Sequence, residues 1–365
     1  MTLAHGYFSR SYEQARKRFL AAAADAELLV ESRLHPEKGR DGEVLAMDVA
    51  REGHPEADRL LILSSGCHGV EGFCGNGVQV AALLDPEWRD HARACGVAVL
   101  YVHALNPWGF SHIRRTTHEN IDLNRNFQDF SRPLPANEAY RDVHPLLVPS
   151  EWPPTSQNRQ AVDAYVAAHG LARFQAAISG GQHEFPDGLF YGGTAPSWSN
   201  TTLREALRAH GRRAARIGWI DIHTGLGASA VGERIFAGPD DPVAIARARD
   251  WWDSAGATPV TSIHDGSSTS ALLTGLMWNA VPQECPQAEY TGIALEYGTL
   301  PISDMLEALR ADQWLQSHPE APEALARAIK QQVLNAFFVD SEGWQAEVLR
   351  QARDALFDAV DGLAA

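Results

Sequence analysis

The chain has 365 residues, 45% of them hydrophobic, and 30 glycines, which suits one large α/β domain or two smaller ones in an ordinary globular protein. A formal net charge of −15 excludes a nucleic-acid binder that relies on basic side chains facing phosphates, and it obliges any anionic ligand to find a local basic pocket. The four cysteines, Cys67, Cys74, Cys95 and Cys285, form no C-x-x-C pair or disulfide framework and read as buried free thiols.

In chain order, residues 1–20 carry Arg10, Arg16, Lys17 and Arg18 with no apolar run, which is unlike a secretory signal. No window reaches the roughly 18 apolar residues of a membrane span, so a cytoplasmic protein is expected. Residues 12–24 read as a helix, followed by an antiparallel pair at 27–34 and 43–51. The apolar runs 60–63 and 97–102 read as buried strands, and 174–179, 219–222, 233–237, 259–263 and 292–295 are further predicted strands. Helical patterns occupy 75–84, 158–168, 200–215 and 242–255. Two more, 321–337 and 341–360, close the chain, the last with Ser341 as its N-cap. The proline-rich stretch 132–154 is expected to be a long surface loop near a site. Strand–helix alternation predicts an α/β fold, with a mixed, largely parallel central sheet and helices on both faces, spanning residues 1–365 as one domain.

Four short segments carry chemistry. His68 and Glu71 follow the 60–63 strand, in a turn with glycines at 66, 69 and 72 that let the backbone fold tightly. Asp122-Leu-Asn-Arg-Asn-Phe127 offers Asn124 and Arg125, and the guanidinium fork of Arg125 suits a carboxylate. Asp122 can also pair with Arg114 or Arg115. His223 ends the 219–222 strand, with Asp221 on the same side of the strand and able to orient the imidazole. Glu296 ends the 292–295 strand, where an unpaired carboxylate is costly unless it has work to do. Ligands of open α/β sheets collect at the carboxyl ends of strands, so one crevice can hold all four segments. Two imidazoles and a carboxylate are the usual ligands of a catalytic zinc, and a free carboxylate beside them is a candidate base.

This set resembles the zinc carboxypeptidase family of metallopeptidases. The resemblance runs over about residues 60–298 and is strongest at 106–127, where Asn106-Pro-Trp-Gly-Phe110 also resembles a family segment with Trp108 replacing Asp. More narrowly it points to an uncharacterised bacterial branch, a domain of unknown function, through residues 180–193 (Gly-Gly-Gln-His-Glu-Phe-Pro-Asp-Gly-Leu-Phe-Tyr-Gly-Gly) and Leu295-Glu-Tyr-Gly298. The D-L-N-R-N pattern is also similar to the succinylglutamate desuccinylase/aspartoacylase type, which hydrolyses N-acyl amino acids.

The resemblance implies one Zn2+ ion on His68, Glu71 and His223, Glu296 as general base, and Asn124 and Arg125 on the substrate's carboxylate. It assigns polarisation of the scissile carbonyl to Arg115, with Arg114 as the alternative. It implies hydrolysis of an amide or peptide bond in a small peptide or acyl-amino acid. No nucleic acid or membrane is expected as a partner, and a homo-oligomer is compatible with the chain. The family's mobile tyrosine, some twenty residues before the base, has no counterpart at 273–275; Tyr191, His183 and His264 are unranked stand-ins. A non-catalytic metal- or peptide-binding module is the alternative this departure raises. A dinucleotide enzyme is disfavoured, because Gly225-Leu-Gly227-Ala-Ser-Ala230 leads into a predicted strand and not a helix, and a serine hydrolase lacks its G-x-S-x-G elbow.

Overall fold

In the computed structural model, which describes residues 4–253 and 258–365, the described strands form one eight-stranded sheet. The strands are β1 (Val30–Lys38), β2 (Val44–Glu52), β3 (Arg59–Ser65), β4 (Val97–His103), β5 (Arg216–Ser229), β6 (Gly232–Phe236), β7 (Val260–Thr261) and β8 (Glu289–Gly298), in spatial order β1-β2-β4-β3-β5-β8-β6-β7. The central four, β4-β3-β5-β8, are parallel. β2 joins them antiparallel on one side and β6 on the other. The predicted mixed, largely parallel sheet is therefore the fold.

Both faces are covered. One core gathers Ile220, Ile222, Ile293, Leu295 and Tyr297 under the helices Tyr12–Asp25, Gly72–Leu84 and Glu342–Ala364. The opposite core gathers Ile217, Trp219 and Ala294 under the helix Trp198–His210. The alternation of these residues along β5 and β8 is the two-residue period of a strand buried on both faces. Ser341 caps the last helix, its side chain accepting from the amide of Trp344.

Two expectations are corrected. The predicted strand at 174–179 lies within the helix Leu171–Ser179, whose Phe174, Ala177 and Ile178 pack on Tyr140, Val143 and Leu147 in a third small core. Apolar positions at i, i+3 and i+4 with no neighbouring strand made helix the stable choice; so short an apolar run is ambiguous on pattern alone. The expected loop 132–154 contains the helix Glu138–Leu147, capped by Asn137. The helices Pro86–Ala94 and Ile302–Ser317 were not foreseen, and the helix predicted over 242–255 is Pro242–Trp252, its predicted end falling outside the described residues.

Candidate metal centre

β3 ends at Ser65, and Gly66 takes a positive φ of 68° that turns the chain sharply across the carboxyl edge of the sheet. His68 follows in extended geometry and leads into the 3-10 turn Gly69–Glu71. This turn lies against another segment's backbone. A Cβ on Gly69 would sit 2.1 Å from the carbonyl carbon of Gly109, so only glycine allows the approach. The amides of Gly69 and Val70 donate to the carbonyls of Arg115 and Arg114 at 3.1 and 2.8 Å.

The turn brings Glu71 between two imidazoles. Its Oε1 lies 2.9 Å from His68 Nδ1 and its Oε2 lies 3.0 Å from His223 Nδ1. The amide of Thr224 also donates to Oε2. All three side chains are buried, and one ligand atom from each lies within 4.8 Å of the others. The far nitrogens meet carboxylates: His68 Nε2 lies 3.3 Å from Asp122 Oδ1, and His223 Nε2 contacts Asp221 Oδ2. Ser64 donates to Asp221 and accepts in turn from the indole N–H of Trp219. Carboxylates behind both imidazoles hold the rings so that each Nδ1 faces Glu71, an arrangement common behind metal-binding histidines. Two imidazoles and a carboxylate, converging and oriented from behind, fit a divalent cation such as zinc.

Electrostatics agrees. Burial pushes the Glu71 carboxyl up, but the flanking imidazoles outweigh it and hold the group well below the usual carboxylate range. For His223, burial opposes a charge, yet Asp221 and Glu71 raise its pKa well above normal. The same field that draws a proton there would hold a cation. A rival trio, Cys67, Asp221 and His223, also converges. Burial and then the charges of Asp221, Asp122 and Glu71 push the Cys67 thiol far up, which disfavours the thiolate a metal needs, so this trio is the poorer site.

β5 and β8 are in register with His223 beside Glu296, so both side chains leave one face of the sheet on adjacent strands. Glu296 Oε1 accepts from the amide of Leu226 at 2.9 Å. Burial first, and then the charge of Glu71, push its carboxyl up to about 7. A group poised at that point serves as a base near neutrality.

The arginines divide. Arg115 reaches the cluster: Nε donates to Asp122 Oδ2 at 2.9 Å, Nη1 donates to Glu71 Oε1 at 3.3 Å, and Nη2 lies 2.8 Å from His68 Nε2. Arg114 is not brought to it, contrary to its place among the candidates. Its Nε donates to Asp312 at 2.8 Å, and Nη2 donates to Asn120 and Gln313, in a buried network completed by Lys330. The two neighbours therefore go to different partners, and Arg115 is the one that faces the site.

Asp122 caps the short turn Leu123–Asn126 through the amide of Asn124 at 3.0 Å. Asn124 Oδ1 accepts from the amide of Met277. Arg125 is buried, its Nη2 donating to the carbonyl of Ser179 at 2.5 Å, while its Nε has no partner among the described residues. Arg115 and Arg125 both lie over the ring of Phe190, at 5.2 and 5.5 Å. That ring belongs to the 180–193 loop, which wraps the Asp122–Asn126 turn. The carbonyl of Tyr191 accepts from the amide of Asp122, and His183 Nδ1 bonds the carbonyl of Gly193. His264 is held by the carbonyl of Gly238 on a different loop. The sequence did not single out Phe190, which combines a positive φ with two cationic neighbours, or Trp278, whose ring lies 6.3 Å from that of His223. Neither sits in a recognisable spacing.

The chain belongs to the family described as Protein of unknown function (DUF2817), which matches residues 8–351. No curated protein matches it. Among solved structures it is similar to the carboxypeptidase A from Helicoverpa armigera, at 13% identity over 90% of this chain and 74% of that chain, with a TM-score of 0.45. It is also similar to bovine thrombin-activatable fibrinolysis inhibitor, solved in complex with tick carboxypeptidase inhibitor, at 13% identity over 86% and 97%, with a TM-score of 0.48. A metallo-carboxypeptidase from Burkholderia cenocepacia gives 14% identity over 86% and 70%, with a TM-score of 0.41.

Proposed function

We propose that this DUF2817 member is a zinc-dependent hydrolase of an amide or peptide bond next to a free carboxylate, acting as one catalytic unit. The observation that carries this reading is the Glu71 carboxylate bracketed by His68 Nδ1 and His223 Nδ1, with Glu296 one strand away. When bound by these three residues, zinc supplies Lewis acidity toward a water and the scissile carbonyl.

The remaining roles belong to the chain. Glu296 takes a proton from the attacking water and passes it to the leaving amine, a transfer worth about 10²–10⁴ in rate. The Arg115 guanidinium, at the edge of the cluster, donates to the developing oxyanion; one such donor is typically worth about 3–4 kcal/mol. Arg125, with its free Nε, and Asn124 hold the substrate's carboxylate and so position the bond. Asp122 and Asp221 keep both imidazoles in place from behind.

A cavity of about 490 Å³ is lined by Leu226, Thr299, Leu300, Ile302 and Met305 among others. Leu226 itself donates its amide to Glu296. This lining favours a substrate with an apolar arm on that side of the bond. An acyl-amino acid with its acyl chain in the cavity fits as well as a small peptide, which keeps an N-acyl amino acid deacylase as the second reading. The test is a mass-spectrometric screen of zinc-loaded protein against peptides and acyl-amino acids. Turnover that needs zinc and disappears in Glu296→Gln supports the proposal. Zinc-loaded protein inert on the whole panel refutes it and favours a binding module.

A further inference from the structure

At the opposite rim of the sheet a second set of donors converges. His91 lies in the last turn of the helix Pro86–Ala94, and Cys95 is that helix's C-cap, its amide bonded to the carbonyls of His91 and Arg93. Asp361 lies near the end of the helix Glu342–Ala364. His91 Nε2 stands 2.7 Å from Asp361 Oδ1 and 4.0 Å from Cys95 Sγ, and the three donor atoms lie within 4.8 Å of one another. The imidazole is fixed from a third side, since its ring packs on Phe357 with centroids 5.0 Å apart. Cys95 is the half-buried thiol of the four; the others are buried.

We infer that His91, Cys95 and Asp361 form a second metal site, for a borderline-soft divalent ion such as Zn2+ or Co2+. An ordinary surface ion pair explains His91 and Asp361 but not the thiol turned toward the same nitrogen. For a tetrahedral ion with bonds of about 2.0 Å to N and O and 2.3 Å to S, neighbouring donors stand roughly 3.3–3.5 Å apart. The observed 2.7 and 4.0 Å bracket that spacing, and Asp361, 66% exposed, has room to adjust. Its exposure also leaves the fourth position open to solvent. Ligation converts the Cys95 thiol to thiolate, and the proton passes to buffer.

The site is distinct from the centre already described. His91 and Cys95 precede the first residue of β4, whereas His68 and Glu71 follow the carboxyl end of β3 and His223 and Glu296 lie in the carboxyl halves of β5 and β8, roughly 20 Å away, about a strand length. It joins two helices already linked by Arg353, which pairs with Asp85 and Glu87 near the other end of the seam. Its effect is therefore to pin the C-terminal helix, independently of the chemistry at the other rim.

Co2+ titration of the full chain tests this, because the proposed hydrolytic centre contains no thiolate. The wild type is expected to show a thiolate-to-cobalt charge-transfer band in the near ultraviolet. Cys95→Ser and His91→Gln should lose it, and Cys67→Ser should keep it. Zn2+ should raise the melting temperature of Glu296→Gln protein, and less so once Cys95→Ser is added. Absence of the band in the wild type, its persistence in Cys95→Ser, or its loss in Cys67→Ser overturns the inference. His91→Gln, a change at a half-buried position, serves where Cys95→Ser fails to fold.

Discussion

Replacing Glu296 by glutamine should abolish turnover and stabilise the metal-free protein, in a pH window the structure sets. Burial and the neighbouring charge of Glu71 move this carboxyl from 4.5 to about 7. The folded state therefore prefers the neutral acid, and that preference is fully expressed below about 4.5 and lost as pH rises through about 7. Above 7 the ionised group costs the folded state about 3 kcal/mol relative to a neutral isostere. Glutamine keeps the acceptor for the Leu226 amide and removes the charge. With an unfolding entropy of about 2.1 cal/mol/K per residue, 365 residues give about 0.8 kcal/mol/K, so 3 kcal/mol corresponds to about 4 °C. Scanning fluorimetry of chelator-treated wild type and Glu296→Gln at pH 5 and pH 8 reads this directly. The variant should melt about 4 °C higher at pH 8 and close to wild type at pH 5. Equal melting temperatures at pH 8 would show that Glu296 is not held against its charge, and the case for a poised base would fall. In the metal-loaded enzyme a bound cation draws the same pKa down, so the acid limb of the activity profile should lie below 7.

Three further outcomes are expected. His223→Ala should lose metal at the hydrolytic centre by elemental analysis, since it removes one of the two imidazoles facing Glu71; full occupancy there contradicts the ligand assignment. Arg125→Ala should weaken substrates bearing a free carboxylate by about 10–150-fold in kcat/KM, the worth of a charge-assisted hydrogen bond, and should spare amidated analogues. Arg114→Met should cost about 3–5 kcal/mol of stability, because Asp312 is left short of a buried partner, while the metal content stays intact; metal loss without destabilisation would return Arg114 to the site.

Much of the site was legible because its parts are local. A glycine-flanked His-x-x-Glu after an apolar run, and single polar residues at the ends of two others, announce side chains presented at a sheet's carboxyl edge. The strand–helix alternation carried the fold class for the same reason, since period and punctuation are read within a few residues. The helix at Leu171–Ser179 was missed because a single turn of i, i+3, i+4 spacing is too short to tell from a strand and its partners, Tyr140 and Val143, come from another segment.

What the amino-acid order determined here is therefore the inventory: which donors exist, at which strand ends, and which glycines let the chain turn. The tertiary structure decided the pairings. It set Glu296 in register with His223, turned Arg115 rather than Arg114 to the cluster, placed Phe190 under two guanidiniums, and brought Asp361 to His91 across 270 positions of chain. The physical reason is range. Turns and periodicity are set by neighbours along the backbone, whereas strand register and the partner of a buried charge follow from how whole cores close.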